Sequence, residues 1–357
     1  MTELAYPAVE LRTSPHIRSA DDTKAIMQRV VLSLLPVCAF SIYAFGPSAA
    51  LLLIVCTASC VLTEHFYCRL LKRANTVGDW SAVITGLLLA LTLPPGFPLW
   101  MAVIGGFVAI ALGKLLFGGL GYNPFNPALV GRAFLQAAFP VAITTWTPAF
   151  GAGRLFSAIP STLAWPFLKP APISEYVDGL AVDGFSGATP LSLMKFDFGT
   201  PAYEAITGLD LFYGRVAGSV GETSALLILL GGIYLLATRT MRWRIPVAVL
   251  ASVAVFSAAF WVYDRGQYPS PLFMLFSGGL MLGAVYMATD MVTSPTTPLG
   301  EWTFGILIGL ITVVIRLKGG LPEGVMYAIL LANAVTPIIN SLTQPRVYGA
   351  AKARRKA

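Results

Sequence analysis

Long apolar runs separated by short polar stretches occupy the chain from Ile26 to Asn340. Five lie near Ile26 to Phe45, Ala49 to Tyr67, Ser81 to Leu93, Leu99 to Phe117 and Ala128 to Trp146. After a long polar interval, five more follow near Thr223 to Ala237, Ile245 to Tyr263, Leu272 to Ala288, Trp302 to Ile315 and Gly324 to Asn340. Runs of this length predict helices that cross a bilayer. Several fall short of the roughly 20 residues that a straight crossing needs. The short ones carry helix breakers, Gly86 with Pro94-Pro95 and Gly278-Gly279 with Pro295, so interrupted helices are expected there.

Composition supports this reading. The 357 residues are 56% hydrophobic and only 11% charged, with a mean hydropathy of +0.73, which excludes an ordinary water-soluble globule. The formal charge of +7 does not call for a nucleic-acid partner, because the basic residues flank apolar runs, where they meet lipid headgroups. Cys38, Cys56, Cys60 and Cys68 have no C-x-x-C spacing and no histidine cluster beside them, so no metal site, intrinsic iron-sulfur cluster or haem is expected. They read as small buried apolar residues. A polar start through Lys24 gives no cleavable signal peptide, leaving the first helix as an anchor.

The predicted architecture is an all-α integral membrane protein of about ten transmembrane helices, in two inverted five-helix halves, with one long extracytoplasmic loop domain. Residues 1–25 form a cytoplasmic arm, 26–147 the first five helices, 148–222 the loop, 223–340 the second five helices and 341–357 a basic tail. Orientation follows the basic residues. Of 24, 17 fall inside when both termini are cytoplasmic: the arm through Arg29, then Arg69, Lys72, Arg73, Lys114 and Arg132, Arg239 to Arg244, and Arg346 to Lys356. The loop from Pro148 to Glu222, with seven acids and seven prolines, is too long for a mere connection and is the first place to look for chemistry.

Within it stands Asp183-Gly-Phe-Ser-Gly-Ala-Thr189-Pro190-Leu-Ser192. Read plainly, this is a turn with Thr189 capping a following helix. Ser186, Gly187 and Ala188 are also small enough to leave the Thr189 hydroxyl unshielded, and Asp183 adds a carboxylate nearby. Elsewhere, the amides of Asn123-Pro-Phe-Asn126-Pro offer donors and acceptors for a polar ligand or a helix cap on the cytoplasmic side. Ser294-Pro-Thr-Thr-Pro298 repeats the proline spacing four spans later, hence on the same side. Glu64, Asp290 and Glu301 are acids at span ends and form a candidate ion pathway, with Thr289 and Thr293 adding oxygen beside Asp290. The plainer alternative is helix capping, or pairing with Arg132 or Arg244.

The ten-residue string resembles the acceptor motif of bacterial flavin transferases. Gly121 to Phe134, Ala90 to Pro95 and Val285 to Pro295 resemble two homologous membrane proteins, the D component of the Rnf (Rsx) complex and the B component of the sodium-pumping NADH:quinone oxidoreductase. The short arm before the first span favours the Rnf type. This resemblance implies FMN linked covalently to Thr189 as a phosphoester, with Asp183 and Ser186 completing the recognition pattern and Gly187 and Ala188 allowing close approach. It further implies a noncovalent riboflavin near Asn123 and Asn126. The function implied is an electron-carrying subunit of an ion-translocating ferredoxin:NAD oxidoreductase in the bacterial inner membrane, with the Thr189 loop periplasmic. Its partners would be the other subunits, including a second flavin-bearing one, and the flavin transferase during maturation. Ferredoxin and NAD sites would lie on other subunits, since no strand-turn-helix G-x-G-x-x-G context is present. A redox-free small-solute permease and a purely structural assembly subunit are the competing readings.

Overall fold

The computed structural model describes residues 22–72, 76–151, 154–156, 158–166, 189–222 and 224–345. Among these the ordered elements are helices, with no strand. Six helices are long and apolar enough to cross a membrane: α1 (Thr23–Phe45), α2 (Pro47–Leu70), α4 (Leu99–Ala111, continued to Phe117 by a turn), α8 (Arg244–Tyr263), α11 (Pro298–Lys318) and α12 (Val325–Leu342). The remaining expected spans form shorter helices. These are α3 (Ser81–Leu91), α5 (Pro127–Ala138), α7 (Ala225–Ala237), and α9 (Pro271–Phe276) followed by α10 (Leu280–Leu282) and a π turn, Gly283–Met287. Backbone breakers account for the shortening. Pro94-Pro95 follows α3, Pro140 ends the run expected to reach Trp146, and Ser277-Gly278-Gly279 interrupts the eighth.

Each half packs in the same way. In the first, α2 lies against α3 and α4; in the second, α8 lies against α11. Small residues let these backbones approach: a methyl on Gly86 would meet Thr57 Cα at 2.5 Å, and one on Gly309 would meet Ser252 Oγ at 1.8 Å. Contacts between α1 and α7, and between α5 and α12, join the halves around one apolar core running from Leu34 to Ile339. The outer faces of the long helices carry bare apolar side chains such as Leu32, Ile54, Phe66 and Val255, as lipid contact requires. All four cysteines are buried and unpaired.

The beginning of the long loop folds back over one end of the bundle. Phe150 N–H donates to Ala44 O at 3.0 Å, and Arg154 Nε donates to Tyr43 O at 2.8 Å with its guanidinium over the Tyr43 ring. Further along, Ile159 N–H reaches Ser48 Oγ at 2.7 Å and Ser161 Oγ–H reaches Gly96 O at 2.7 Å. The described remainder forms short helices, including α6 (Pro190–Phe196), against the same end.

Candidate functional site

Thr189 occupies the position its sequence context requires. Preceding a proline, it is extended (φ −76°, ψ 160°) and caps α6, its Oγ1 accepting the Ser192 N–H at 3.2 Å and lying 3.1 Å from Ser192 Oγ. The residue is 3% exposed, so the hydroxyl is sheltered rather than open as the small neighbours suggest. Asp183, Ser186, Gly187 and Ala188 lie outside the described residues.

What fixes α6 is not evident from its sequence. Lys195 Nζ donates to Ile315 O and Arg316 O at 3.3 Å and to Leu321 O at 2.8 Å, adding a donor to the end of α11, where Ile315 O also accepts the Gly319 N–H, and to the turn beyond it. Partial burial lowers the Lys195 ammonium below the usual lysine range. Leu191 packs on the break between α9 and α10, where Gly278 has φ +65° and a methyl would meet Leu191 Cδ1 at 2.4 Å. Arg316, 1% exposed, donates to Met274 O at 2.5 Å and Ser277 O at 2.9 Å, satisfying carbonyls that the interruption frees.

A second polar group lies beside this break. Val220 N–H and Gly221 N–H donate to Leu93 O at 3.0 Å and Leu91 O at 2.6 Å, carrying the next residue, Glu222, past the end of α3. Its carboxyl accepts weakly from Ser219 N–H at 3.4 Å, and desolvation, then the negative charge of Glu323, push it above the usual carboxylate range; Glu323 itself forms an ion pair with Arg132. Charge counting groups Arg132 with the cytoplasmic residues, but it is 4% exposed and reaches Glu323 in the turn between α11 and α12. Such counting places a residue by its nearest loop; a long side chain inside a short helix escapes that rule.

The opposite end of α11 is about 30 Å away, at roughly 1.5 Å rise per residue over its 21 residues. There, Asn123, Asn126, Lys114, Tyr286, Thr289 and Asp290 line a cleft of about 800 Å³, part of it open to solvent. Asn126 caps α5 through Ala128 N–H at 3.0 Å and donates to Met287 O at 3.2 Å, so its segment meets the one leading to Ser294-Pro-Thr-Thr-Pro298. Arg242 ties down that second segment through Pro295 O and Thr296 O. Asn123 Oδ1 is buried without a hydrogen-bond partner. Asp290 accepts from Val292 N–H and Thr293 Oγ1–H, both at 3.3 Å, and has no ion-pair partner among the described residues.

The other two acids are neutralised. Glu64, fully buried within α2 and not at its end, binds Lys114 Nζ at 2.8 and 2.9 Å and accepts from Thr76 Oγ1; Lys114 also donates to Ser81 Oγ at 2.5 Å. Glu301, in the first turn of α11, binds Arg242 Nη1 at 2.7 Å and Arg244 Nη1 at 3.1 Å. Thus Lys114 brings Glu64 to the wall of the cleft, whereas Glu301 sits in a separate clamp. Sequence reading passes over Lys195, Glu222, Arg316 and Glu323. A signal is present for Arg316, a charge within an apolar run, which is costly unless it serves a purpose.

The sequence profile described as the NQR2, RnfD, RnfE family matches residues 10–349. The chain is 39% identical to the D component of the proton-translocating ferredoxin:NAD(+) oxidoreductase complex of Clostridium ljungdahlii, over 95% of this chain and 96% of that one. It is 42% identical to the Na(+)-translocating counterpart of Acetobacterium woodii, over 97% and 96%. With the D component of the ion-translocating oxidoreductase complex of Erwinia tasmaniensis it shares 38%, over 97% of this chain and all of the other. Match and identities extend over nearly the whole length and agree with the helical membrane architecture: this chain belongs to the NQR2, RnfD, RnfE family.

Proposed function

We propose that this chain is the flavin-carrying membrane subunit of an ion-translocating electron-transport complex of the ferredoxin:NAD oxidoreductase type. The relatives' names support the complex, and they favour the Rnf D component over the B component of the sodium-pumping enzyme. Ten crossings follow if the four short or interrupted helices join the six long ones, giving two inverted halves with both termini cytoplasmic in the inner membrane. The Thr189 end is then periplasmic and the Asn123 cleft cytoplasmic.

The observation that carries the flavin reading is the placement of the Thr189 hydroxyl at the head of a helix fastened to the bundle by Lys195 and Leu191. In the transfer, Thr189 Oγ1 forms a bond to the FMN phosphorus, the pyrophosphate bond of FAD breaks, AMP leaves and the hydroxyl proton goes to solvent. The ester oxygen can still accept from Ser192 N–H, so the cap is compatible with modification. Bound FMN supplies one- and two-electron chemistry; the chain supplies its position. Electrons would arrive from one partner and leave to another, including a second flavin-bearing subunit.

In the cytoplasmic cleft, Asn123 Oδ1 is a free buried acceptor suited to a flavin ring N–H, supporting a noncovalent riboflavin held by Asn123 and Asn126. Asp290, open to the same cleft and without a cation, is the best-placed of the three candidate ion carriers; Glu64 and Glu301 act as fixed pairs. The coupling ion is Na+ or H+, and relatives of similar identity are named for each.

Peptide mass spectrometry of protein from cells containing the flavin transferase tests the central claim. A Thr189 peptide bearing FMN, absent in Thr189→Ala, is expected. An unmodified wild-type peptide would overturn the flavin reading and bring forward the permease.

A further inference from the structure

Where α1 leaves the membrane, aromatic side chains from three parts of the chain meet around a cleft of about 630 Å³, part of it open to solvent. Its walls include Phe40 and Tyr43 from the last turns of α1, Phe150 from the start of the long loop and Tyr213 from the short helix Gly208–Tyr213. At 23 residues and roughly 1.5 Å rise per residue, α1 is long enough to span the hydrocarbon core, so its last turns lie at the water interface. Aromatic rings gather at that depth, and a cleft of this size can hold a small ligand. One wall is built at a cost. Phe150 has φ +61°, which bulky residues rarely adopt, and its ring stands 6.1 Å from Phe40 and 5.9 Å from Tyr43.

Two guanidiniums border these rings. Arg154 lies over Tyr43 and Phe150, 4.9 and 5.2 Å from the ring centroids, and Arg215 lines the cleft directly. Neither forms an ion pair among the described residues. From the cleft, the face of α1 that carries Leu35, Ala39, Ile42 and Tyr43 runs on bare toward the middle of the membrane. Directly after Arg154, Leu155 is 50% and Phe156 95% exposed, as side chains set into the boundary between headgroups and acyl chains are. Unpaired cations beside an aromatic cleft that continues into lipid-facing surface match an amphiphile with a negative head. A soluble anion would leave the bare face without a role, and a lipid of no net charge would leave the guanidiniums unbalanced.

We propose that this cleft binds one anionic glycerophospholipid, its phosphate at Arg215 and Arg154, its glycerol among the rings and its acyl chains along the bare face of α1. The bound lipid joins the start of the long loop and the Gly208–Tyr213 helix to the bilayer surface. The proposal does not depend on the flavin.

Native mass spectrometry of the purified full chain, titrated in detergent with phosphatidylglycerol or with phosphatidylethanolamine of the same acyl chains, tests the site. The first phosphatidylglycerol is expected to bind about tenfold more tightly than phosphatidylethanolamine, and Arg215→Gln to weaken it about fivefold, the effect of one basic residue beside an anionic headgroup. Arg265, which follows α8 and lies over Trp261 at 4.4 Å, is outside the cleft, so Arg265→Gln should leave this binding unchanged. Equal binding of the two lipids, or full affinity in Arg215→Gln, overturns the proposal. An equal loss in Arg265→Gln reduces the effect to surface charge and overturns it too. Displacement of the lipid by inorganic phosphate would make this a phosphate site, and a benzophenone side chain at Phe40 that crosslinks to protein instead of lipid in native membranes would make it a subunit interface; either result also overturns the proposal.

Discussion

The two ends of the helix bundle handle buried charge in opposite ways. At the Asn123 end, acids are matched to bases: Glu64 to Lys114 and Glu301 to Arg242 and Arg244. At the Thr189 end, Arg316 spends its donors on backbone carbonyls, and the ion pair of Arg132 with Glu323 is partly open to water. A closed pair gains little by releasing a proton, because an orphaned partner would stay behind in a dry site. A pair that water reaches has no such lock. The comparison separates charges sealed against an opposite charge from those that meet backbone or water, and it leaves Asp290 as an acid of the cleft with no ion-pair partner among the described residues.

The largest effect should come from opening the tightest lock. Lys114→Met leaves Glu64 charged with no cation, and a loss of about 3–5 kcal/mol is predicted from thermal unfolding in detergent. Adding Glu64→Met should recover most of it; a neutral single variant would mean that the pair is hydrated. Arg132→Met at the other end is predicted to cost less, about 1.5–3 kcal/mol, because Glu323 is 16% exposed and water can take the place of its lost partner. An Arg132→Met loss equal to that of Lys114→Met would erase the contrast between the ends.

Smaller effects sharpen the description of the Thr189 end. Gly278→Ala strains a positive φ and drives a methyl into Leu191, predicting a loss of about 1–3 kcal/mol and earlier proteolysis near α6. If proteolysis is unchanged, Leu191 is not what seats the helix. Thr189→Ala should cost about 1 kcal/mol through the lost cap even without flavin, while Thr189→Ser should cost close to none. Equal hydrogen-exchange rates in α6 for both variants would show the cap to be idle.

Much of this arrangement is legible in the chain. Apolar runs mark the helices, and Pro94-Pro95 and Gly278-Gly279 mark the interruptions, because lipid leaves the backbone so few alternatives. The expected shared side of Asn123-Pro-Phe-Asn126 and Ser294 to Pro298 agrees with the bond from Asn126 to Met287. Pairing is not legible. Lys195 reaches carbonyls more than a hundred residues away, and Arg132 finds Glu323 from inside a helix that charge counting assigns to the other end. Such partners depend on where breaks and short helices bring distant segments, which periodicity does not encode. A local motif locates Thr189, yet its shelter depends on packing that no local motif records.

That shelter sets an order of events. With Thr189 3% exposed and bonded to Ser192, the folded chain offers a transferase no open hydroxyl. If Thr189 takes the flavin, attachment must either precede the docking of α6 or await the unwinding of its first turn. Maturation would then be a race between a modifying enzyme and the closing of one helical cap, and mutants that slow the docking would be modified sooner than wild type.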